Sequence, residues 1–175
     1  MIKIGVGYDA HKLVPNRKLI LGGVEIPHHL GLDGHSDADV VTHALIDSLL
    51  GAAGMGSIGE LFPDTEMAFK DISSLKMLED VAVRLSVFKI NNVDAVIIAQ
   101  NPKLVPYIPR MKENWARILG TGFINIKATT TEYMGFEGRE EGISAICTSI
   151  IEQEAGTLRG REIFTRNFPR SGNMT

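Results

Sequence analysis

The stretch MIKIGVGYDAH, residues 1–11, governs how the rest of the chain is read. Ile2, Ile4 and Val6 alternate with Lys3, Gly5 and Gly7, the period of two expected of a strand with one face buried. The pattern predicts a strand from Met1 to Tyr8 whose isoleucine and valine side faces inward. It leads directly into polar chemistry: Asp9 and His11 are two residues apart and share a face for as long as the extended geometry lasts. A carboxylate and an imidazole so placed can supply two ligands to a zinc ion.

The next informative stretch is HSDADVVTHALIDSLLG, residues 35–51. From Ser36 the spacing becomes helical, with Val41, Ala44, Leu45 and Leu49 on one stripe and Gly51 and Gly54 marking the end. Ser36 and Asp39 have the spacing of a capping box. His43 has Asp39 one turn before it and Asp47 one turn after it, and either carboxylate could orient its imidazole. Asp9, His11 and His43, with a fourth position open, form the pattern of a catalytic zinc site. Taken alone, the Asp9-Ala10-His11 triplet reads better as a strand-end aspartate capping a turn, because short motifs match by chance. A carboxylate-flanked His43 reverses that balance. All five histidines fall in the first quarter of the chain; His28 and His29 follow Pro27 and read as turn residues. His35-Ser36 lies at the predicted helix start, where free N–H groups favour an anion, although Ser36 also reads as a simple N-cap.

The remaining elements follow by the same reasoning. Leu19 to Ile26, broken by Gly22-Gly23, reads as one or two short strands, and 54–70 as a long loop. Leu75, Leu78, Ala82 and Leu85 predict a helix, and Val93 to Ala99 a buried strand ended by Asn101-Pro102. Met111, Trp115 and Leu119 predict a helix with Pro106 and Pro109 near its first turn and Gly120 and Gly122 at its close. Ile124, Ile126 and Ala128 predict a strand, and Ile143, Ile146 and Ile150 a helix. The order implies a single α/β (α+β) domain over residues 1–155, a small mixed β-sheet with helices covering one face. Residues 156–175 carry Arg159, Arg161, Arg166 and Arg170 against Glu162 alone, a basic tail expected to be flexible.

Composition narrows the function. Of 175 residues, 44% are hydrophobic and 22% charged, which describes an ordinary soluble domain. A net charge of −3 offers no field for nucleic acid or an anionic membrane, so an anionic ligand needs a metal or a focused site. The start of the chain lacks the pattern of a signal peptide, and no apolar run approaches a membrane span, so a cytoplasmic protein is expected. Cys147, the lone cysteine, reads as a buried small hydrophobe. Thr129-Thr130-Thr131-Glu132 ends a predicted strand with hydroxyls suited to phosphate oxygens and a carboxylate suited to Mg²⁺ or Mn²⁺. In isolation those threonines read more simply as good strand formers, and Gly135 to Arg139 as a surface turn.

Together these pieces resemble the 2-C-methyl-D-erythritol 2,4-cyclodiphosphate synthase family of the non-mevalonate isoprenoid pathway. The matching segments are Gly7 to His11, Leu21 to Val24, His35 to Val40 with His43, Ile58-Gly59, Leu61 to Thr65, Ala99-Gln100 with Pro102-Lys103, Lys127 to Glu132, and Gly135-Phe136 with Gly138-Arg139. They occur in the family's order from residue 4 to about 154.

The resemblance implies a homotrimer with active sites between subunits, Zn²⁺ held by Asp9, His11 and His43, and Mg²⁺ or Mn²⁺ at Glu132 bridging substrate phosphates. It implies that 4-diphosphocytidyl-2-C-methyl-D-erythritol 2-phosphate is cyclised with release of CMP. His35 and Thr130 align with the family's transition-state stabilisers. Ala99, Gln100, Asn101, Pro102, Lys103, Leu104 and Val105, with Thr129, Thr130 and Thr131, match its cytidine and phosphate contacts. Ala10, Ser36, Ser57, Ile58, Gly59, Phe62, Pro63, Asp64, Thr65, Glu66, Phe136 and Arg139 match further substrate-contacting positions. The chain departs from the family at Ser57, where an acidic residue contacts ribose, and at Ala38 and Glu140, where glycines are usual. Ala38 is expected to suit the helix better than glycine. Ile146 replaces an acidic residue near the trimer's central cavity, which counts against isoprenoid diphosphate binding there. Two other readings of the same site are a zinc phosphoesterase that uses water, and a trimeric nucleotide-binding or partner-binding scaffold without turnover.

Overall fold

The computed structural model describes residues 1–63 and 72–153. The first strand runs well past the sequence expectation: β1 spans Ile2–Pro15 and carries Asp9 and His11 within it. A hairpin of β2 (Leu19–Leu21) and β3 (Val24–Ile26) follows, turning through Gly22 and Gly23 at φ 58° and 71°. Two consecutive positive φ values are what a tight two-residue hairpin of this hand requires, and glycine supplies them without strain. Then come β4 (Leu30–Leu32), α1 (Val40–Ala53), the single turn α2 (Ile58–Leu61) and α3 (Ser74–Arg84). The remainder is β5 (Phe88–Ile98), α4 (Ile108–Leu119), β6 (Ile124–Thr129), the short α5 (Gly135–Gly138) and β7 (Gly142–Gln153).

Five strands form one mixed sheet in the order β4-β1-β7-β5-β6, in which only β5 and β6 run parallel. α1 lies across β1, β7 and β5, with α3 beside it and α4 between α3 and β6. Leu45, Leu49 and Leu50 of α1 pack with Leu78, Met111, Trp115 and the inward residues of β5 and β7 as one core. Among the described residues no helix is long and apolar enough to cross a membrane.

Two sequence expectations fail here for one physical reason. Ile143, Ile146 and Ile150 belong to β7, not to a helix; the true period puts Ile143, Ala145, Cys147, Ser149 and Ile151 on the buried face. Likewise the buried side of β1 is the one bearing Gly5 and Gly7, while Ile2, Ile4, Val6 and Tyr8 are exposed, at 57–66% of their full accessibility. Both faces of the sheet are apolar, so hydrophobicity alone does not identify the one that meets the helices. The deciding contact is backbone to backbone: a Cβ at Gly5 would come within 1.9 Å of the Ser48 carbonyl oxygen, and one at Gly7 within 2.0 Å of the Ala44 oxygen. Only glycine admits so close a helix.

The start of α1 also differs from expectation. Its N-cap is Asp39, whose side chain accepts from the Thr42 N–H at 3.1 Å, so Ser36 and Asp39 make no capping box. Asp39 is fully buried and accepts as well from Gly22 N, Gly23 N and the Thr42 hydroxyl at 2.7–2.9 Å, tying the β2–β3 turn to α1. Burial, reinforced by nearby Asp37, pushes its carboxyl up from the ordinary range despite those donors. One of the N–H groups at this helix start, that of Thr42, is thus taken by the protein's own carboxylate. Ala38 precedes the helix in the left-handed region at φ 55°, and Glu140 has φ 58°, so both replacements of glycine fall where a side chain is strained. The expectation that Ala38 suits a helix is corrected accordingly. Cys147 is buried as expected, and burial pushes its thiol up to about 12. The basic tail lies outside the described residues.

Candidate functional site

β1 and α1 bring three side chains to one point. Asp9 and His11 project from the α1 side of β1, and His43 descends from the first turn of α1. Asp9 Oδ2 lies 2.9 Å from His11 Nε2 and 3.0 Å from His43 Nδ1, and the two ring nitrogens are 3.2 Å apart. One ligand atom from each residue thus falls within a sphere that suits a metal ion. The His11 Nδ1–H donates to the Asp33 carbonyl at 2.7 Å, which leaves its Nε2 lone pair facing the other two groups. Burial favours a neutral Asp9, but the two imidazoles outweigh it and hold the carboxyl well below the usual range. The same carboxylate raises His11 against the lowering effect of burial. A carboxylate oxygen and two imidazoles are the donor set of a zinc site, and these residues fit such an ion.

Neither neighbouring aspartate orients His43, contrary to the sequence expectation. Asp39 is committed to its capping role, and Asp47 accepts from the Ile58 N–H at 3.1 Å. His43 Nε2 instead meets the hydroxyls of Ser74, at 2.9 Å, and Ser36, at 3.2 Å. Ser74 was missed from the sequence; the only hint was its place at the head of a predicted helix. Arg17 was missed too: its guanidinium donates to the carbonyls of Gly34 at 3.0 Å and Ser36 at 2.8 Å, holding the loop that carries His35.

Asp9, His11 and His43 open onto a cleft of about 420 Å³ that is also lined by His35, Ser36, Ser57, Ile58, Gly59 and Phe62. His35 is exposed at its rim. Ser57 donates to Glu60 Oε1 at 3.1 Å, so a carboxylate stands behind the hydroxyl. Ala10 and His11 border a second hollow against Phe136. A separate groove of about 350 Å³ is lined by Ala99, Gln100, Pro102, Lys103, Leu104, Val105, Thr129 and Thr130. β1 and β6 are three strand spacings apart, roughly 14 Å, so one chain does not merge the two sites.

The family model described as the YgbB family matches residues 2–152. The chain belongs to the YgbB family. A YgbB-type relative from Clostridium acetobutylicum, the 2-C-methyl-D-erythritol 2,4-cyclodiphosphate synthase, is 57% identical over 155 residues, covering 85% of this chain and all of its own. The bifunctional IspDF of Campylobacter jejuni superposes with a TM-score of 0.84 at 42% identity over 88% of this chain, which spans 43% of that longer one. IspF of Plasmodium falciparum, solved as a CDP complex, superposes with a TM-score of 0.77 at 31% identity, covering 88% of this chain and 97% of its own.

The other site residues expected from the sequence lie as follows. Thr130 donates to Glu132 Oε1 at 2.6 Å, and Glu132 is exposed in the left-handed region at φ 52°. Thr131 donates to the Met134 carbonyl, and Asn101 donates to Glu140 at 2.8 Å. Arg139 is exposed and paired with Glu141 at 2.7 Å. Pro63 is the last residue described before the gap; Asp64, Thr65 and Glu66 lie outside the described residues.

Proposed function

We propose that the chain converts 4-diphosphocytidyl-2-C-methyl-D-erythritol 2-phosphate to 2-C-methyl-D-erythritol 2,4-cyclodiphosphate and CMP, acting as a homotrimer with its sites between subunits. The observation that carries this reading is the Asp9, His11 and His43 cluster at the floor of a cleft, in a chain 57% identical to a synthase of that name. Because the attacking phosphate and the phosphorus it attacks belong to one substrate molecule, no side-chain nucleophile is required. An oxygen of the 2-phosphate bonds to the β-phosphorus while the bond from that phosphorus to the bridging oxygen breaks, and CMP leaves with that oxygen. Zn²⁺ held by Asp9, His11 and His43, with Mg²⁺ or Mn²⁺ at Glu132, would supply Lewis-acid charge neutralisation to the diphosphate.

The protein's own groups hold the substrate folded. His35 at the cleft rim donates to phosphate oxygens as charge develops on them, and Thr130 does so once its hydroxyl is released from Glu132. Ser57, backed by Glu60, offers a hydroxyl to the ribose diol where a carboxylate is usual. The Ala99 to Val105 segment, with Thr129 and Thr130, forms a groove of a size suited to a pyrimidine base. Asp64 to Glu66, Phe136 and Arg139 complete the substrate contacts. Residues 1–155 form the working unit, and 156–175 a basic extension.

Two features support the trimer. The metal cleft and the second groove are too far apart in one chain to close on a compact substrate, whereas a neighbouring chain can bring its groove against the cleft. The sheet face bearing Ile4, Val6, Tyr8 and Ile146 is exposed among the described residues, and an apolar area of that kind marks a protein contact. The test is ³¹P NMR of protein with substrate, Zn²⁺ and Mg²⁺. Metal-dependent CMP with two coupled cyclic-diphosphate resonances supports the reading; inorganic phosphate without a cyclic product would replace it with a phosphoesterase.

A further inference from the structure

The two histidines of the cluster are oriented by different means. His11 is settled by a single contact, since the Asp33 carbonyl at Nδ1 can only accept. His43 is not settled by its immediate neighbours. Its Nδ1 faces Asp9 and His11, and its Nε2 faces the hydroxyls of Ser74 and Ser36, each of which can donate or accept.

The decision is made one group further out. Asp37 accepts from the Ser74 hydroxyl through one oxygen and from the Ser74 N–H, at 2.9 Å, through the other. An ionised carboxylate has no proton to give, so the single hydroxyl proton of Ser74 is committed to it. Ser74 can then only accept from His43, and the His43 proton must sit on Nε2. Ser74 is fully buried, at the head of α3, so water does not stand in for it. The Ser36 hydroxyl already accepts from the Ala38 N–H at 3.1 Å and has room to accept from the same imidazole.

We infer that Asp37 and Ser74 are positioning residues for the metal site: the Asp37–Ser74–His43 relay fixes the His43 proton on Nε2 and presents Nδ1 bare beside Asp9 and His11. This rests on the reading of Asp9, His11 and His43 as metal ligands. Without the relay, Ser36 is free to donate to Nε2, and the His43 proton moves to Nδ1. There it faces Asp9 at 3.0 Å and occupies the ligand position.

Asp37→Asn tests the direction of the relay without changing its size. The Ser74 N–H, at 2.9 Å, holds the amide oxygen opposite it more firmly than the Asp39 N–H, at 3.3 Å, holds the other position, which turns the new NH₂ toward the Ser74 hydroxyl. Ser74 must then donate to Nε2, and Nδ1 takes the proton. The measurement is a long-range ¹H–¹⁵N spectrum of metal-free, ¹⁵N-histidine-labelled full-length protein at about pH 8, above the ordinary imidazole range. It is paired with Zn²⁺ affinity by competition with a chromophoric chelator. Wild type should show His43 protonated on Nε2. Asp37→Asn should move that proton to Nδ1, and both Asp37→Asn and Ser74→Ala should weaken Zn²⁺ binding about ten- to a hundredfold. Thermal melting of each variant checks folding; if Ser74→Ala does not fold, the isosteric Asp37→Asn decides. A His43 protonated on Nδ1 in wild type, or variant affinities within threefold of wild type, would overturn the relay. His43→Ala separates the two ideas: if it binds Zn²⁺ as wild type does, the metal reading itself fails. If it loses Zn²⁺ while the relay variants keep it, only the relay fails.

Discussion

Gly7→Ala is the sharpest probe of how the fold serves the site. The added methyl would sit 2.0 Å from the Ala44 carbonyl oxygen and 2.7 Å from the Ser48 nitrogen, both backbone atoms of α1. Since an ordinary C···O approach is no closer than ~3.3 Å, α1 must retreat by about 1.3 Å. Gly7 is two residues before Asp9, and Ala44 is adjacent to His43, so that retreat acts directly on the Asp9–His43 contact of 3.0 Å. Overpacking of this kind costs about 1–3 kcal/mol. With backbone rather than a flexible side chain in the way, the upper end applies. For a chain of this length ~3 kcal/mol lowers the melting temperature by roughly 6–12 °C. A ligand misplaced by more than ~1 Å should also cut kcat about a hundredfold. Thermal melts at fixed protein concentration, with steady-state assays of CMP release, check both. Melting within 2 °C of wild type, roughly the effect of under 1 kcal/mol, would show that α1 is not held against β1 by the glycine contact.

Val6→Asp, on the opposite face of the same strand, should leave the folding of one chain within about 0.5 kcal/mol while abolishing the proposed trimer; sedimentation velocity should show a monomer. Asp39→Asn should cost about 2–3 kcal/mol in a urea titration, because each carboxylate oxygen faces a backbone N–H and an amide leaves one of them opposed by another donor. Ala38→Gly relieves a left-handed alanine and should stabilise by roughly 0.5 kcal/mol, the ~1 kcal/mol relief being partly offset by glycine's greater unfolded entropy; a loss of stability would contradict the strain. In metal-free protein the Asp9–His11 pair should stabilise most between roughly pH 4 and pH 6.5. The depressed Asp9 contributes above its unfolded value and is lost in acid. The raised His11 contributes below its unfolded value and is lost as pH climbs through its folded value. Urea midpoints across that range, compared with Asp9→Asn, check the window.

Much of the architecture was legible because it rests on local rules. The Met111, Trp115 and Leu119 series has one polar and one apolar side, so its period names a helix, and Val41, Ala44, Leu45 and Leu49 keep helical spacing in a helix that is buried nearly all round. The Gly22-Gly23 turn has a single tight solution. The Asp9-Ala10-His11 spacing survives because β1 stays extended beyond them, and His43 lies on α1. What was not legible depends on contacts between distant segments. β7 is apolar on both faces, and its isoleucines fit a helical period and a strand period alike. The inner face of β1 is chosen by a helix backbone that arrives from residues 44–52. Ser36 lost its capping role to Asp39 because the buried hairpin turn needed a carboxylate. Ser74 became part of the site through Asp37, a partner 37 residues away.

β7 lies between β1 and β5, yet among the described residues it is the last strand made. Roughly 125 residues separate the end of β1 at Pro15 from the start of β7 at Gly142. At about 5–20 residues per second, the nascent β1 waits on the order of 6–25 s on the ribosome for its neighbour. Until then β4 and β1 on one side and β5 and β6 on the other are two half-sheets, each with an unpaired inner edge open to wrong partners. Productive folding of this sheet therefore waits until β7 has been made. A truncated translation product that stops before Gly142 leaves two half-sheets with no strand between them.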